Sequence, residues 1–161
     1  MPPRVPAARW SWAGLLLLAV VAVDQWVKAC IAAAIPAGAS VPVIPGIFSL
    51  THVQNRGVAF GLLAGASPLV TILAALTLVL ILLYNRGRQF LSSRSAAAGV
   101  ACMAGGAVGN LVDRLRFGYV VDYLDVHIWP VFNLADVAIV IGAGLLILVV
   151  SRDRGFVSPR R

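Results

Sequence analysis

Aspartate and asparagine residues recur together beside the apolar runs of this sequence. All six acidic residues are aspartates, and Asn110 and Asn133 each precede an aspartate by three positions, in "NLVD" and "NLAD". This spacing places the amide and the carboxylate on one face of a helix. Two carboxylates held close together share a proton, so that one acts as a base on water while the other polarises a carbonyl group. The residues therefore predict a hydrolase and leave open which two of the aspartates act.

The composition indicates that these acids belong to a membrane protein. Hydrophobic residues make up 60% of the 161 residues and charged residues 12%, with a mean hydropathy of +0.92, whereas a soluble protein has about 25% charged residues. Four apolar stretches approach the ~20 residues that cross a bilayer, at 12–33, 67–84, 95–112 and 133–150. The sequence thus predicts an all-α membrane protein, with one domain over 1–161 built as a bundle of four transmembrane helices.

The distribution of lysine and arginine predicts the orientation of these helices. Nine of the thirteen Lys and Arg residues lie at the N-terminus, before the third stretch or at the C-terminus, and short cytoplasmic segments are rich in these residues. We expect both termini to be cytoplasmic, with outer loops over 34–66 and 113–132. Because the cations form no stripe along a soluble helix, nucleic acid is not expected as a partner.

Two local patterns add detail to this bundle. In the first outer loop, the β-prone runs 41–44 and 47–53 are punctuated by Pro and Gly and predict a small sheet or hairpin. In the third stretch, small residues recur at four-residue spacing and predict close contact with a neighbouring helix; they are Ala97, Ala101, Gly105 and Gly109.

With this orientation, the acids outside the C-terminal flank converge on the outer third of the bilayer. Ionisable groups at this depth are costly and usually functional. Amides and an arginine can surround them, and Gly57 permits a turn or a close backbone approach next to one of those amides. The acids are Asp24, Asp113, Asp122, Asp125 and Asp136, and the groups that can surround them are Asn55, Asn110, Asn133 and Arg114.

Structural roles could also explain individual acids. Asp24 and Lys28 are one helical turn apart and could form an ion pair, and Asp113 could pair with the adjacent arginine at the interface. Asn133 could cap the last helix, with Asp136 stabilised by the helix dipole. This last role is compatible with a catalytic one, because a cap fixes the direction of the carboxylate.

Two other functions compete with hydrolysis. A small carrier or proton-coupled exporter could bind cations at intramembrane aspartates, although these acids cluster at one interface instead of lining a path to both sides. A non-catalytic scaffold could use the polar residues only to hold its helices together. His52 and His127 lack a second ligand at metal spacing, so neither a metal nor a cofactor is expected.

Five motifs together resemble those of the lipoprotein signal peptidases, the signal peptidase II family, over nearly the whole chain. The motifs are "DQWVK" (24–28), "NRGVAF" (55–60), "GGAVGNLVDR" (105–114), "VVDYLD" (120–125) and "FNLAD" (132–136). The resemblance implies a membrane aspartyl endopeptidase that removes the signal peptide of diacylglyceryl-modified bacterial prolipoproteins, just before the lipidated cysteine. It further implies a multi-pass protein of the cytoplasmic membrane, in contact with membrane lipids, whose active site lies near the outer face.

The resemblance also assigns roles to particular residues. The two aspartates that match the catalytic pair of the family are Asp122 and Asp136. Residues that match its substrate-binding or supporting positions are Asp24, Lys28, Asn55, Gly57, Asn110, Asp113, Arg114 and Asn133. The first outer loop is expected to form a small β-cradle on the membrane surface.

Overall fold

The computed structural model describes residues 11–56 and 93–154, and long apolar helices dominate this part of the chain. Helices α1 (Ser11–Ala34), α2 (Arg94–Phe117) and α3 (Leu134–Arg154) are long and apolar enough to cross a membrane. A helix of 24 residues is about 36 Å long, which exceeds the ~30 Å hydrocarbon core. Three of the predicted spans are thus confirmed as helices, and the span predicted at 67–84 lies outside the described residues.

Helix α2 lies between the other two helices, and small residues line both of its contact faces. On one face, Ala97 and Ala101 pack with Ala13 of α1, and a Cβ atom at Gly105 would come within 3.0 Å of the Leu17 carbonyl oxygen. On the other face, a Cβ atom at Gly99 would lie 2.8 Å from a side-chain carbon of α3. The predicted stripe of small residues is therefore confirmed, because it lets α1 approach closely.

A three-stranded antiparallel sheet packs at one end of these helices. Strands β1 (Ser40–Ile44), β2 (Phe48–Asn55) and β3 (Val120–Asp125) lie in the order β1-β2-β3. The turn between β1 and β2 contains Gly46, whose φ of 75° favours glycine. The two predicted β-prone runs are confirmed as β1 and β2.

The segment predicted as the second outer loop is mostly regular structure. Helix α2 continues to Phe117, beyond the predicted end at residue 112. Gly118 ends the helix: its φ is 74°, and its backbone N–H donates a hydrogen bond to the Arg114 carbonyl oxygen. Strand β3 follows at once and pairs with β2, Val53 lying opposite Asp122. The chain thus leaves a membrane helix and enters a sheet, which places Asp122 where helices and sheet meet.

An apolar cluster fixes the sheet to the helices at this junction. Ile31 and Ile35, at and just beyond the end of α1, pack against Val121 and Tyr123 of β3. All four side chains are buried, and burying one such side chain contributes about 1.5–3 kcal/mol. Because Asp122 lies between two of these anchors, its position along the strand is well defined.

Candidate active site

The first three backbone N–H groups of α3 each have a specific acceptor. The Leu134 N–H donates to the Tyr123 hydroxyl (3.3 Å), the Ala135 N–H to Asp24 Oδ1 (3.0 Å), and the Asp136 N–H to Asn133 Oδ1 (3.0 Å). A helix leaves its first N–H groups without partners inside the helix, so groups from elsewhere must satisfy them. Residues of α1, of β3 and of the preceding segment meet at this helix end.

Asp136 is held by a reciprocal cap at the start of α3. Its Oδ2 accepts the N–H of Asn133 (3.2 Å), while Asn133 Oδ1 accepts the N–H of Asp136. This is the geometry of a capping box, with Asn and Asp in place of the commoner Ser and Glu. The cap predicted from the sequence is thus present, and it leaves Asp136 Oδ1 to accept a hydrogen bond from Asn110 Nδ2 (2.9 Å).

Asp122 lies on β3 with only 2% of its surface exposed. Its Oδ2 accepts from Asn55 Nδ2 (2.7 Å) and its Oδ1 from Asn133 Nδ2 (2.6 Å). Burial raises the pKa of the Asp122 carboxyl to about 7; the Asn55 and Asn133 hydrogen bonds oppose this rise and the Asp136 charge adds to it. Asp122 therefore keeps a proton at a pH where an ordinary aspartate has lost it.

Two asparagine amides connect the carboxylates of Asp122 and Asp136. Asn133 Nδ2 donates to Asp122 and also to Asn110 Oδ1 (3.1 Å), and Asn110 Nδ2 donates to Asp136. Asn133 and Asn110 are 0% and 4% exposed, so these bonds lie where water competes little. The carboxylates come from different elements, and the charge of Asp136 contributes to the raised pKa of Asp122.

A buried lysine lies beneath this network. Lys28 Nζ is 2.9 Å from a carboxylate oxygen of Asp24 and 2.9 Å from one of Asp113, and it donates to Asn110 Oδ1 at 2.8 Å. The lysine is 3% exposed, and the two aspartates are 0% and 1% exposed. The predicted Asp24–Lys28 ion pair is confirmed, but it belongs to a larger cluster that also includes Asp113.

Asp24 and Asp113 are committed to structural bonds as well as to this lysine. Asp113 Oδ2 accepts the N–H of Val121 on β3 (3.1 Å), and Asp24 accepts the Ala135 N–H at the start of α3. Gln25 adds a contact that the sequence does not predict: its Nε2 donates a hydrogen bond to Asp113 Oδ1 at 2.8 Å. These acids position the helix ends and the strand that carry the other two carboxylates.

Arg114 contributes positive charge next to the carboxylates. Its Nη1 donates to the Asn110 carbonyl at 3.2 Å, and its charge acts on Asp136, Asp122 and Asp113. The predicted polar residues that the structure describes are therefore all found around the acids. Gly57 lies outside the described residues.

Asp125 lies apart from this network, on the sheet. Its Oδ2 accepts from the Thr51 hydroxyl (2.9 Å), its Oδ1 accepts the His127 N–H (2.9 Å), and His127 Nε2 lies 3.1 Å from the Ser49 hydroxyl. Hydrogen bonds from His127 and Thr51 lower the pKa of Asp125. The sequence pattern groups Asp125 with the other acids and does not predict these partners, since only strand pairing brings them together.

A cavity of about 310 Å³ opens beside Asp122. The lining residues come from the end of β2, from β3 and from the segment after β3; they are Val53, Gln54, Asn55, Arg56, Asp122, Pro130 and Val131. Asp122, although only 2% exposed, therefore lines a concave surface, and such surfaces are the usual place of substrate sites.

Comparison with known proteins gives consistent matches over most of the chain. A family model described as signal peptidase (SPase) II matches residues 16–152. The lipoprotein signal peptidase of Halothermothrix orenii is 46% identical over 134 residues, covering 83% of this chain and 91% of that protein. The lipoprotein signal peptidase of Moorella thermoacetica is 49% identical over 135 residues, covering 82% of this chain and 87% of that protein.

Two solved structures, both described as bacterial membrane enzymes, have a similar fold. The first, at 2.3 Å resolution, has a TM-score of 0.74 at 30% identity and covers 92% of this chain and 93% of its own. The second, at 1.9 Å resolution, has a TM-score of 0.72 at 31% identity and covers 88% of this chain and 93% of its own.

Proposed function

The chain belongs to the signal peptidase II family and is a protease, and from this premise we propose that it removes signal peptides from bacterial prolipoproteins. The proposed substrate carries diacylglycerol on a cysteine, and the bond that is cleaved lies just before that cysteine. The proposed catalytic pair is Asp122 and Asp136. The observation that supports this choice most is that Asn110 and Asn133 connect these two carboxylates, which come from different elements, beside an open cavity.

In the proposed mechanism, the pair holds one proton and activates a water molecule. Because the pKa of Asp122 is raised to about 7, Asp122 carries the proton and donates it toward the carbonyl oxygen of the scissile bond. Asp136 accepts a proton from water, which then attacks the carbonyl carbon. When the tetrahedral intermediate collapses, that proton passes to the leaving amine. The positive charge of Arg114 stabilises negative charge that develops on the substrate oxygen.

The other acids and Lys28 support the pair in this proposal. Lys28 balances Asp24 and Asp113, and these two aspartates hold the start of α3 and the strand that carries Asp122. Asn55 fixes the other oxygen of Asp122. Gly57, two residues after Asn55, is proposed as a supporting position on the resemblance alone.

The proposed topology has four spans in a single domain over 1–161. Residues 67–84 form the second span, both termini are cytoplasmic, and the loops 34–66 and 113–132 face outward from the bacterial cytoplasmic membrane. The active site then lies near the outer face, where the ends of the described helices meet the sheet. The lipid chains of the substrate enter between helices, because they require an apolar path.

The test is signal-peptide release followed by mass spectrometry, with purified protein in detergent and a diacylglyceryl-modified prolipoprotein. We expect release by wild type and by Asp125→Asn, a matched control on the same strand, and no release by Asp122→Asn or Asp136→Asn. Folding of each variant is checked by its thermal unfolding. Release by both of the latter variants would place the catalytic pair elsewhere, with Asp24 and Asp113 as the next candidates. No release by wild type, on a substrate that another signal peptidase cleaves, would favour the carrier.

A further inference from the structure

The cavity beside Asp122 lies on the sheet side of the site, beyond the helix ends. Among the described residues, its lining comes from β2 and the residue after it, from β3, and from the segment that leads to α3. An apolar signal segment requires an apolar path between helices, whereas the chain that follows the cleaved bond leaves the membrane. The position of the cavity therefore suits the chain on the mature side of that bond.

The wall of the cavity formed by Pro130 and Val131 is held in place by the sheet. Phe132 exchanges backbone hydrogen bonds with Leu124 of β3, at 2.8 and 3.1 Å. At the other end of the same segment, His127 is bound by Asp125 and lies against Ser49. Since both ends are anchored, the cavity is formed before a substrate arrives, which lowers the entropic cost of binding.

The charges of the lining favour an acidic side chain. Asp122 is the acid of this lining; it is 2% exposed, Asn55 and Asn133 donate to its two carboxyl oxygens, and burial raises its pKa to about 7, so that it is only partly ionised near neutral pH. Arg56, which is exposed at the end of β2, contributes a guanidinium group. Asn55 is bonded to Asp122 and Gln54 to the Tyr119 hydroxyl (3.1 Å). Among the lining residues, the exposed charge is therefore the positive charge of Arg56, and Val53, Pro130 and Val131 form apolar walls.

We propose that this cavity binds the first residues of the mature chain after the lipidated cysteine, and that Arg56 makes it prefer an acidic side chain there. The inference rests on the proposed function. At about 310 Å³, the cavity is at the lower end of the ~300–1,000 Å³ typical of ligand sites, which suits a short piece of extended chain. Arg56 acts here as a specificity residue, outside the catalytic pair and its hydrogen-bond network.

The experiment measures kcat/KM for lipidated substrates that differ only in the residue after the cysteine: Asp, Asn or Lys. A partly exposed ion pair contributes about 0.2–1 kcal/mol, so we expect wild type to prefer Asp to Asn by up to about fivefold and to disfavour Lys. The preference should decrease at high salt, because exposed charges are screened. Arg56→Ala should remove it, Arg56→Lys should retain it, and Arg56→Glu should reverse it.

The matched control is Arg116→Ala, which removes an exposed arginine at the end of α2 whose guanidinium lies 5.1 Å from the Phe117 ring centre. This variant should keep the wild-type preference. A second substrate series varies the charge of the residue before the scissile bond, where Arg56→Glu should change little.

Equal rates for Asp and Lys substrates in wild type, or an unchanged preference in Arg56→Ala, would overturn this inference alone. Failure of wild type to cleave any substrate would instead overturn the proposed function, and the inference with it.

Discussion

The orientation of a single amide decides how Asp136 is presented. Asn110 Oδ1 accepts from Lys28 and from Asn133, so Asn110 Nδ2 must point the other way, toward Asp136. With the amide turned round, its NH₂ group would face the Lys28 ammonium group, and an NH₂ group cannot accept the hydrogen bond that the ammonium group donates. Lys28 therefore acts on Asp136 through Asn110, although it is bonded directly to other acids.

Lys28→Met should destabilise the protein strongly. Removing one partner of a buried ion pair leaves an uncompensated charge and costs about 3–5 kcal/mol, and here two buried aspartates lose their cation. The readout is the free energy of unfolding in detergent. Adding Asp113→Asn to Lys28→Met should restore part of the loss, because one unpaired charge is then removed. Arg116→Met, which removes an exposed cation, should change stability by at most about 0.5 kcal/mol. Equal effects of Lys28→Met and Arg116→Met would show that the lysine does not carry this role.

The raised pKa of Asp122 predicts a pH dependence of stability. The pKa of this carboxyl is about 7 in the folded protein and 3.8 in the unfolded chain. Between these pH values the unfolded chain has therefore lost a proton that the folded protein retains. The free energy of unfolding of wild type therefore falls as pH rises through this window, by up to about 4 kcal/mol. Relative to wild type, Asp122→Asn should gain stability from pH 4 to 7 and stay level above pH 8.

Asp125→Asn provides the comparison with the opposite sign. Because the pKa of Asp125 is lowered, its contribution to stability is present above the unfolded pKa of 3.8 and is lost as pH falls. The stability of this variant relative to wild type should thus fall as pH rises through about 4 and stay constant from pH 5 to 8. Thermal unfolding in a series of buffers measures both. A flat profile for Asp122→Asn between pH 4 and 7 would contradict the assigned proton.

At the scale of elements, helix α2 brings the site together through glycine. A Cβ atom at Gly109 would lie 2.5 Å from Asp24 Oδ2, so Gly109→Ala must displace the carboxylate that holds α3. We expect a loss of about 1–3 kcal/mol together with a loss of cleavage. Gly14→Ala on α1, where nothing lies within 4 Å, should be neutral or slightly stabilising, since alanine favours a helix. Thermal unfolding and cleavage measure both variants, and equal behaviour would exclude close contact at Gly109.

The elements that the sequence predicts best are those with a strong local signal. Helices α1 and α3 follow from apolar length, and strands β1 and β2 from β-prone runs between Pro and Gly. Strand β3 lies in a segment that the sequence predicts to be a loop, since "VVDYLD" is short and its two aspartates interrupt the apolar pattern. Its pairing with β2 is a tertiary contact, as is the bond between Lys28 and Asp113. Spacing placed the acids at one depth, but it could not assign their partners.

The molecule as a whole places a polar network where an apolar helix bundle meets a sheet. The helices can cross a membrane, while strand β1 exposes the apolar side chain of Val43 (52%), so the sheet is suited to the membrane surface. The acids lie at this boundary, where the substrate that we propose can present the bond between its lipid anchor and its mature chain. We predict which side of the membrane this boundary faces from the basic residues near the termini, because such residues favour the cytoplasm.

Cysteine labelling tests this orientation. In a background with Cys30→Ala and Cys102→Ala, Val43→Cys places a thiol on the exposed strand β1 and Ser158→Cys places one near the C-terminus. A membrane-impermeant maleimide added to intact spheroplasts should label Val43→Cys and leave Ser158→Cys unlabelled; both should react after detergent is added, which confirms that each thiol is accessible. The opposite pattern would reverse the orientation. Labelling at both positions in intact spheroplasts would require an even number of crossings between them, whereas the four-span topology has three, and would thus contradict that topology.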